Sequence, residues 1–474
     1  TTAVPVPTDA LAPLPSWRPG PSLVDPKPAW ARQQLHDLVL ARLQGHTVDL
    51  SSWWRAHRDA PGTFASSHAV AMRIPALALL GHREALWAHV DHLRRHPSRF
   101  SSAGNHRVAE LGALALAHRC LPELSADEPV RPALAALLHP DGWPREQSIP
   151  YLAHALEWGL VAHRCGEPLE DLLRAGATAI EACLADDGSS FAIGDDGGDQ
   201  ALPDRGPYPR DVAGCIRSAL GEPARGWSPG PRAQLLGLGP VGSAPTPSSL
   251  SFASGGFTVL RSTRLTVGVD HGPLGLEPLC GHGHDDLLAL WAHRDGHPWL
   301  VGRGTSAYHD PDVRWIERGP WGSCGLTLDD RGRALPHPHP FLWRRTAGAR
   351  LDRLRIDVDG GQVVGRHDGW PGVRHARSVV VQGGELRVED VLEGQGVHHV
   401  AIRWHLAPGL EGRVDGDPLH HLDSPLPVRI QETRHAAGYG HTVPADTLVA
   451  EGVVALPTRL VSRWTPRRRS APSP

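Results

Sequence analysis

Apolar residues keep one period over the first half of this chain and another over the second, and that single switch restricts the folds open to it. From Pro28 to about Leu220, segments such as AWARQQLHDLVLARL, HAVAMRIPALALL, HRVAELGALALAHRCL and PYLAHALEWGLVAHRC repeat at helical spacing. Short Gly, Pro and Asp breaks part them, which predicts antiparallel neighbours in a layered helical array. The run between Trp227 and Leu250 is dense in Pro, Gly and Ser and reads as an interdomain linker. Beyond it, FTVLRSTRLTVGVDHG, RLDRLRIDVDGGQVVG, RSVVVQGGELRVEDVL and HHVAIRWHLAPG predict strands, with DGG and QGG marking hairpin turns. Helices first and strands second, without βαβ alternation, argue against Rossmann and TIM architectures. The expectation is an α+β chain of two domains, a helical one over residues 1–240 and an antiparallel β-sandwich over 241–474.

Charge separates the classes of partner. With 48 basic and 51 acidic residues the chain has no global field for nucleic acid or an anionic membrane, and neither is expected as a partner. Lys27 is the only lysine, a bias read as coding composition. The six cysteines fall at irregular intervals without a CxxC pair and read as free thiols. No apolar stretch is long enough for a membrane helix, and the first residues lack a signal pattern, so a cytoplasmic location is expected, or a secreted or periplasmic one if a signal peptide was trimmed. Oligomeric state stays open, a homodimer included.

Four segments place polar groups where an element meets a loop. Asn105 and His106 open NHRVAELGALALAHRC, where Asn suits an N-cap. In DGWPREQSIPYLAHALE, Glu146, Gln147 and Ser148 precede Pro150 and Tyr151. Pro suits the first turn, and Tyr151 then lies near a helix N-terminus whose dipole favours a phenolate. In FAIGDDGGDQ, Asp195, Asp196 and Asp199 read as solvated turn residues. In CGHGHDDLLALWAH, glycines flank His282 and His284 in a turn before a strand, so that one imidazole is expected to face a cleft and the other the interior.

In this order the segments resemble the heparinase II/III-like lyases: NH at 105 and 106, EQSxxY ending at Tyr151, IGD at 193–195, GHGHxD at 281–286 and GTxxY ending at Tyr308. The resemblance implies an incomplete (α/α) toroid followed by an antiparallel β-sandwich, sharing one active site. It implies Tyr151 as Brønsted base or acid, His106 as its partner, Asn105 as neutraliser of a substrate carboxylate and His282 as a further active-site group. Glu146, Gln147, Tyr308, Arg314 and Arg318 stand as candidate substrate-binding residues, the arginines for bidentate carboxylate contact. Lyases of this family commonly hold zinc through the second histidine of HxH, an aspartate and a later histidine; here those positions read His284, Gly302 and Ser323. One imidazole does not make a zinc site, so no zinc is expected unless His309, His405 or Asp286 supplies a rearranged set.

The implied activity is β-elimination on an acidic, uronate-type saccharide or a related carboxylated small molecule. Alternatives are an inverting glycoside hydrolase using Glu146 with Asp195 or Asp196, a repurposed enzyme of a natural-product pathway, and a non-catalytic glycan-binding homologue.

Overall fold

A computed structural model describes residues 34–465 apart from 61, 101–102, 126 and 411–420, together with Val4, Val6 and Lys27. The chain divides into two compact units. The first holds residues 1–142, 150–180 and 197–245; the second holds 143–149, 181–196 and 246–474. No described helix is long and apolar enough to cross a membrane, and the six cysteines are free.

Helices make up the first unit, among them Ser67–Leu79, Arg83–Arg95, Gly104–Cys120, Ile149–Arg164 and Tyr208–Ala219. Each follows from its pattern. Ser66 caps Ser67–Leu79 by accepting from the Ala69 amide, and that helix buries Val70, Met72, Ile74 and Leu77. Close helix approach is set by a small residue: a Cβ on Gly112 would stand 2.9 Å from the Trp158 ring. The N-cap expected at Asn105 is not found. The Gly104–Cys120 helix starts two residues earlier with Ala103 at its cap, which puts Asn105, buried, inside the first turn.

The proposed linker is also corrected in part. Pro231–Leu235 is a short helix whose Arg232 is wholly buried, donating to Glu157 Oε1 at 2.7 Å, Gln200 Oε1 at 2.8 Å and the Leu202 carbonyl at 2.9 Å, and pairing with Asp211. Local Pro and Gly content signals a flexible connection, but one desolvated guanidinium with several acceptors overrides it.

Antiparallel sheets build the second unit. A six-stranded sheet runs, in spatial order, His421–Asp423, Thr458–Thr465, Glu385–Glu393, Val373–Gln382, Gly360–Trp370 and Arg350–Asp357. A four-stranded sheet contains Val397–His405 beside His441–Ala455, and a five-stranded one contains Leu265–Asp270, Leu290–Arg294 and His297–Leu300. The DGG and QGG turns do join consecutive strands, 350–357 to 360–370 and 373–382 to 385–393. One shared core gathers side chains from all three sheets. At its centre, Trp464 meets Trp299 and Trp404 edge to face at 5.2 and 5.8 Å, one indole from each sheet. Such pairs add about 0.5–1.5 kcal/mol each beyond burial.

A buried ion pair sits within the six-stranded sheet. Arg377 and Asp390 are direct cross-strand partners, joined through Nε at 2.7 Å and Nη2 at 3.0 Å, and His375 Nε2 lies 2.7 Å from the same carboxylate. Burial alone would raise the Asp390 carboxyl, but Arg377 and His375 outweigh it and hold it down at about 2. A carboxyl depressed on folding adds stability above its unfolded value of about 3.9, and that contribution is lost as pH falls toward 2. Asp390→Asn leaves Arg377 buried with a neutral partner and is expected to cost about 3–5 kcal/mol in denaturant unfolding at pH 7. A loss below about 1 kcal/mol would show that the pair adds no more than an exposed one.

Candidate active site

Tyr151 occupies the first turn of the Ile149–Arg164 helix, and its hydroxyl reaches the backbone of Gly197 in the helical unit. A Cβ on Gly197 would stand 2.9 Å from Tyr151 Oη, 2.6 Å from Lys27 Nζ and 3.3 Å from Asp199 Oδ2, so three polar groups converge where only glycine leaves room. Lys27 donates to the Gly197 carbonyl and to Asp199 Oδ2, each at 2.8 Å. His68 Nε2 lies 3.9 Å from the same carboxylate oxygen, and His154, one turn after Tyr151, directs Nδ1 at the Asp199 carbonyl at 3.3 Å. His106 stacks on His68 with centroids 4.4 Å apart. Burial would raise the Asp199 carboxyl, but Lys27 and then His68 outweigh it and hold it far below the usual carboxylate range. Burial, with His68 beside it, pushes His154 down to about 4, so this ring is neutral at pH 7. The helical unit therefore gathers Tyr151, His106 and the adjoining Asn105 with three residues that sequence reasoning did not select: Lys27, His68 and Asp199.

The second unit builds a different cluster around Asp195, which is 0% exposed. The reading of this residue as a solvated turn aspartate is overturned. Gly194 adopts φ +64°, and a Cβ there would meet the Gln147 carbonyl at 2.3 Å and the His282 carbonyl at 2.9 Å. This left-handed turn seats Asp195 so that its amide donates to the His282 carbonyl at 2.9 Å, while Ser148 Oγ donates to its carbonyl at 2.7 Å. Its carboxylate takes His282 Nδ1 at 3.1 Å, His284 Nε2 at 2.8 Å and Thr305 Oγ1 at 3.3 Å. Arg314 clamps both oxygens, with Nη2 to Oδ2 at 2.8 Å and Nη1 to Oδ1. Burial opposes ionisation here, yet Arg314 and the two histidines hold the carboxyl well below its ordinary range. An ionised carboxylate only accepts, so the facing nitrogen of each ring carries the proton. In the neutral His282 ring this leaves Nε2 as the basic nitrogen.

The expectation that the two imidazoles face opposite ways is corrected, since both address Asp195. The stretch around them is bend and coil, and strand begins only at Leu290, so side-chain alternation does not apply.

Arg314 and Arg318 lie on the Pro311–Arg318 helix, which Asp310 caps by accepting from the Asp312 and Val313 amides. Arg314 meets a carboxylate, but that of Asp195, and it lies over the Tyr308 ring at 4.9 Å. Arg318 donates to the carbonyls of Gly283 at 3.1 Å, Cys280 at 2.7 Å and Pro340, thereby fixing the turn that carries His282. Gln147 accepts from Trp143 Nε1 at 2.8 Å and donates to the Gly255 carbonyl at 3.0 Å, and Glu146 and Tyr308 are buried. These five candidates for substrate contact are thus buried, and of them Arg318 and Arg314 donate to carbonyls of the turn that carries His282.

The zinc set implied by the resemblance does not fit these residues. His284 Nε2 already donates to Asp195, Ser323 offers only a buried hydroxyl, and a Cβ at Gly302 would approach the Ala192 carbonyl to 2.9 Å. Among the described residues, no three His, Cys, Asp or Glu are grouped as metal ligands.

A helical unit and a unit of antiparallel sheets make up the fold. The chain is similar to the crystal structure of Heparinase III, with TM-score 0.66 and 15% identity over 92% of this chain and 77% of that one. It is similar to the heparan sulfate lyase HepC mutant from Pedobacter heparinus, with TM-score 0.59 and 16% identity over 94% and 76%. Similarity extends to the Chondroitin AC lyase Y253A mutant of Streptomyces coelicolor A3, with TM-score 0.51 and 12% identity over 96% and 78%. At these identities the likeness is one of fold. Residues 244–463 match the family model described as Heparinase II/III-like, C-terminal, and it is this part of the chain that is similar to that family. A search of curated proteins finds no match.

Metal analysis of protein purified without chelators is expected to find well below one zinc per chain. One tightly held zinc per chain would contradict the reading of His284, Gly302 and Ser323.

Proposed function

We propose that this protein is a lyase that cleaves an acidic, uronate-type saccharide, or a related carboxylated small molecule, by β-elimination. The observation that carries the reading is the convergence of the Tyr151 hydroxyl with Lys27 and Asp199 on Gly197, beside the stacked His68 and His106. Elimination across a uronate removes the proton α to a carboxylate, and the developing enediolate is dianionic unless donors offset it. Tyr151 is the group that takes the proton and returns one to the leaving oxygen, which a phenol does when cationic neighbours favour its ionised form. His106 assists it, and Asn105 offers an amide to the substrate carboxylate. His282 contributes Nε2, the nitrogen left basic by Asp195. The helical unit is read as an incomplete (α/α) toroid, and the whole as acting on acidic saccharides like those named for heparan sulfate and chondroitin lyases.

Inverting hydrolysis requires a carboxylate free to activate water. Asp195 is buried and held by Arg314, His282 and His284, which argues against that role for it.

A β-elimination product carries a conjugated double bond. Incubation with heparan sulfate, chondroitin sulfate and short uronate oligosaccharides is expected to raise near-ultraviolet absorbance. Tyr151→Phe should lower kcat by about 10²-fold or more with an unchanged melting transition. Turnover retained in that variant would remove Tyr151 from the chemistry; saturated products would replace the lyase with a hydrolase, and binding without turnover would leave a glycan-binding protein.

A further inference from the structure

Lys27 is the only lysine in a chain with 48 basic residues, and the lyase reading above places it beside Tyr151 without saying what it does there. Its side chain is 16% exposed, and its ammonium group is held at two points, by the Asp199 carboxylate and the Gly197 carbonyl. Withdrawing a strongly hydrated ammonium from water is costly unless charge and hydrogen bonds replace that hydration. Both replacements come from the short segment that passes beside the Tyr151 hydroxyl. Nζ and Tyr151 Oη approach the same face of Gly197, within 2.6 and 2.9 Å of where a Cβ would stand.

We propose that Lys27 is a positioning residue for the lyase chemistry, holding the Gly197 to Asp199 segment beside Tyr151 and setting a fixed cation near the phenol that favours the phenolate. The inference rests on the reading of Tyr151 as the proton-transferring group. Among the described residues, the charged and titratable groups near this point include Lys27, Asp199, His68, His106 and His154, with Glu157 and Tyr208 behind them. Asp199 opposes Lys27, but its Oδ2 is farther from the Gly197 point, at 3.3 Å against 2.6 Å, and His68 shares its charge. His154 directs its Nδ1 at the Asp199 main-chain carbonyl and is neutral at pH 7, which leaves Lys27 as the nearest fixed cation to that point. An ammonium also suits the place better than the guanidinium used elsewhere in the chain. Its three donors radiate from one atom and serve a carbonyl and a carboxylate oxygen at equal 2.8 Å distances, where a planar fork would spread its charge.

The test is a spectrophotometric titration of the Tyr151 phenol on the full chain, which needs no substrate. Four tyrosines are present, so the Tyr151 signal is the difference between each protein and its counterpart carrying Tyr151→Phe. An opposite charge at about 4–6 Å moves a pKa by about 1–3 units. With Asp199 opposing, Lys27→Met is expected to raise the phenol by about one unit, a tenfold loss of phenolate below the titration, and Lys27→Arg to restore most of it. An unmoved titration in folded Lys27→Met overturns the proposal. Should that variant fail to fold, the sole lysine allows a chemical version: acetylation removes the charge and reductive methylation keeps it, with mass spectrometry confirming each. Equal titrations of the two modified proteins overturn the proposal as well. A shift with Lys27→Met in a protein that turns over no uronate would support Lys27 and remove the lyase; an unmoved phenol in an active lyase would do the reverse.

Discussion

A carboxylate with no exposure to water organises the polar cluster of the second unit. Asp195 is ionised although buried, because Arg314 clamps both oxygens while His282, His284 and Thr305 donate to it. Taking a carboxylate out of water costs several kcal/mol, and only such a shell of donors offsets it. The consequence is directional. Each imidazole has to present a protonated nitrogen to Asp195, which leaves Nε2 of His282 as its basic atom, and Arg318 fixes the turn beneath that ring through three carbonyls. The imidazole of His284, the position to which the resemblance assigned a metal ligand, here donates to an aspartate.

The helical unit treats its own carboxylate similarly and to a different end. Asp199 is held ionised by Lys27 and His68, and the segment that carries it supplies Gly197, the residue whose missing side chain lets Tyr151 and Lys27 approach one point. A single stretch, IGDDGGD, therefore gives Asp195 to one unit and Asp199 to the other. Neither charge is decorative, since each is paired with cations and sets the environment of a group proposed to move protons.

Periodicity made the architecture legible. Among the described residues, the helical repeats before Leu220 and the alternating segments after Leu250 form the elements they predict, because apolar spacing records which face is buried; the start of the first repeat, residues 28–33, lies outside them. Tyr151, His106 and His282 were selected through the order of short motifs, as what the resemblance implied. What escaped was long-range. Asp195 and Asp199 sit in a Gly-rich loop with the composition of a solvated turn, and nothing local announces Arg314 arriving from 119 residues away or Lys27 from 172. Arg232 in the expected linker is the same case, with Glu157 75 residues distant. Asn105 was misplaced by two helical positions because helix starts depend on caps that sequence marks only weakly. A sole lysine among arginines was the one available hint to Lys27, and composition offered a simpler explanation for it.

The tautomer of His282 tests most directly whether Asp195 governs this site. Long-range nitrogen–proton NMR on histidine-labelled protein, with the ring assigned by comparison with His282→Gln, reports which nitrogen carries the proton when the ring is neutral. A protonated Nδ1 and a bare Nε2 are expected. A bare Nδ1 with the proton on Nε2 would contradict the arrangement, for it would set a lone pair against an ionised carboxylate.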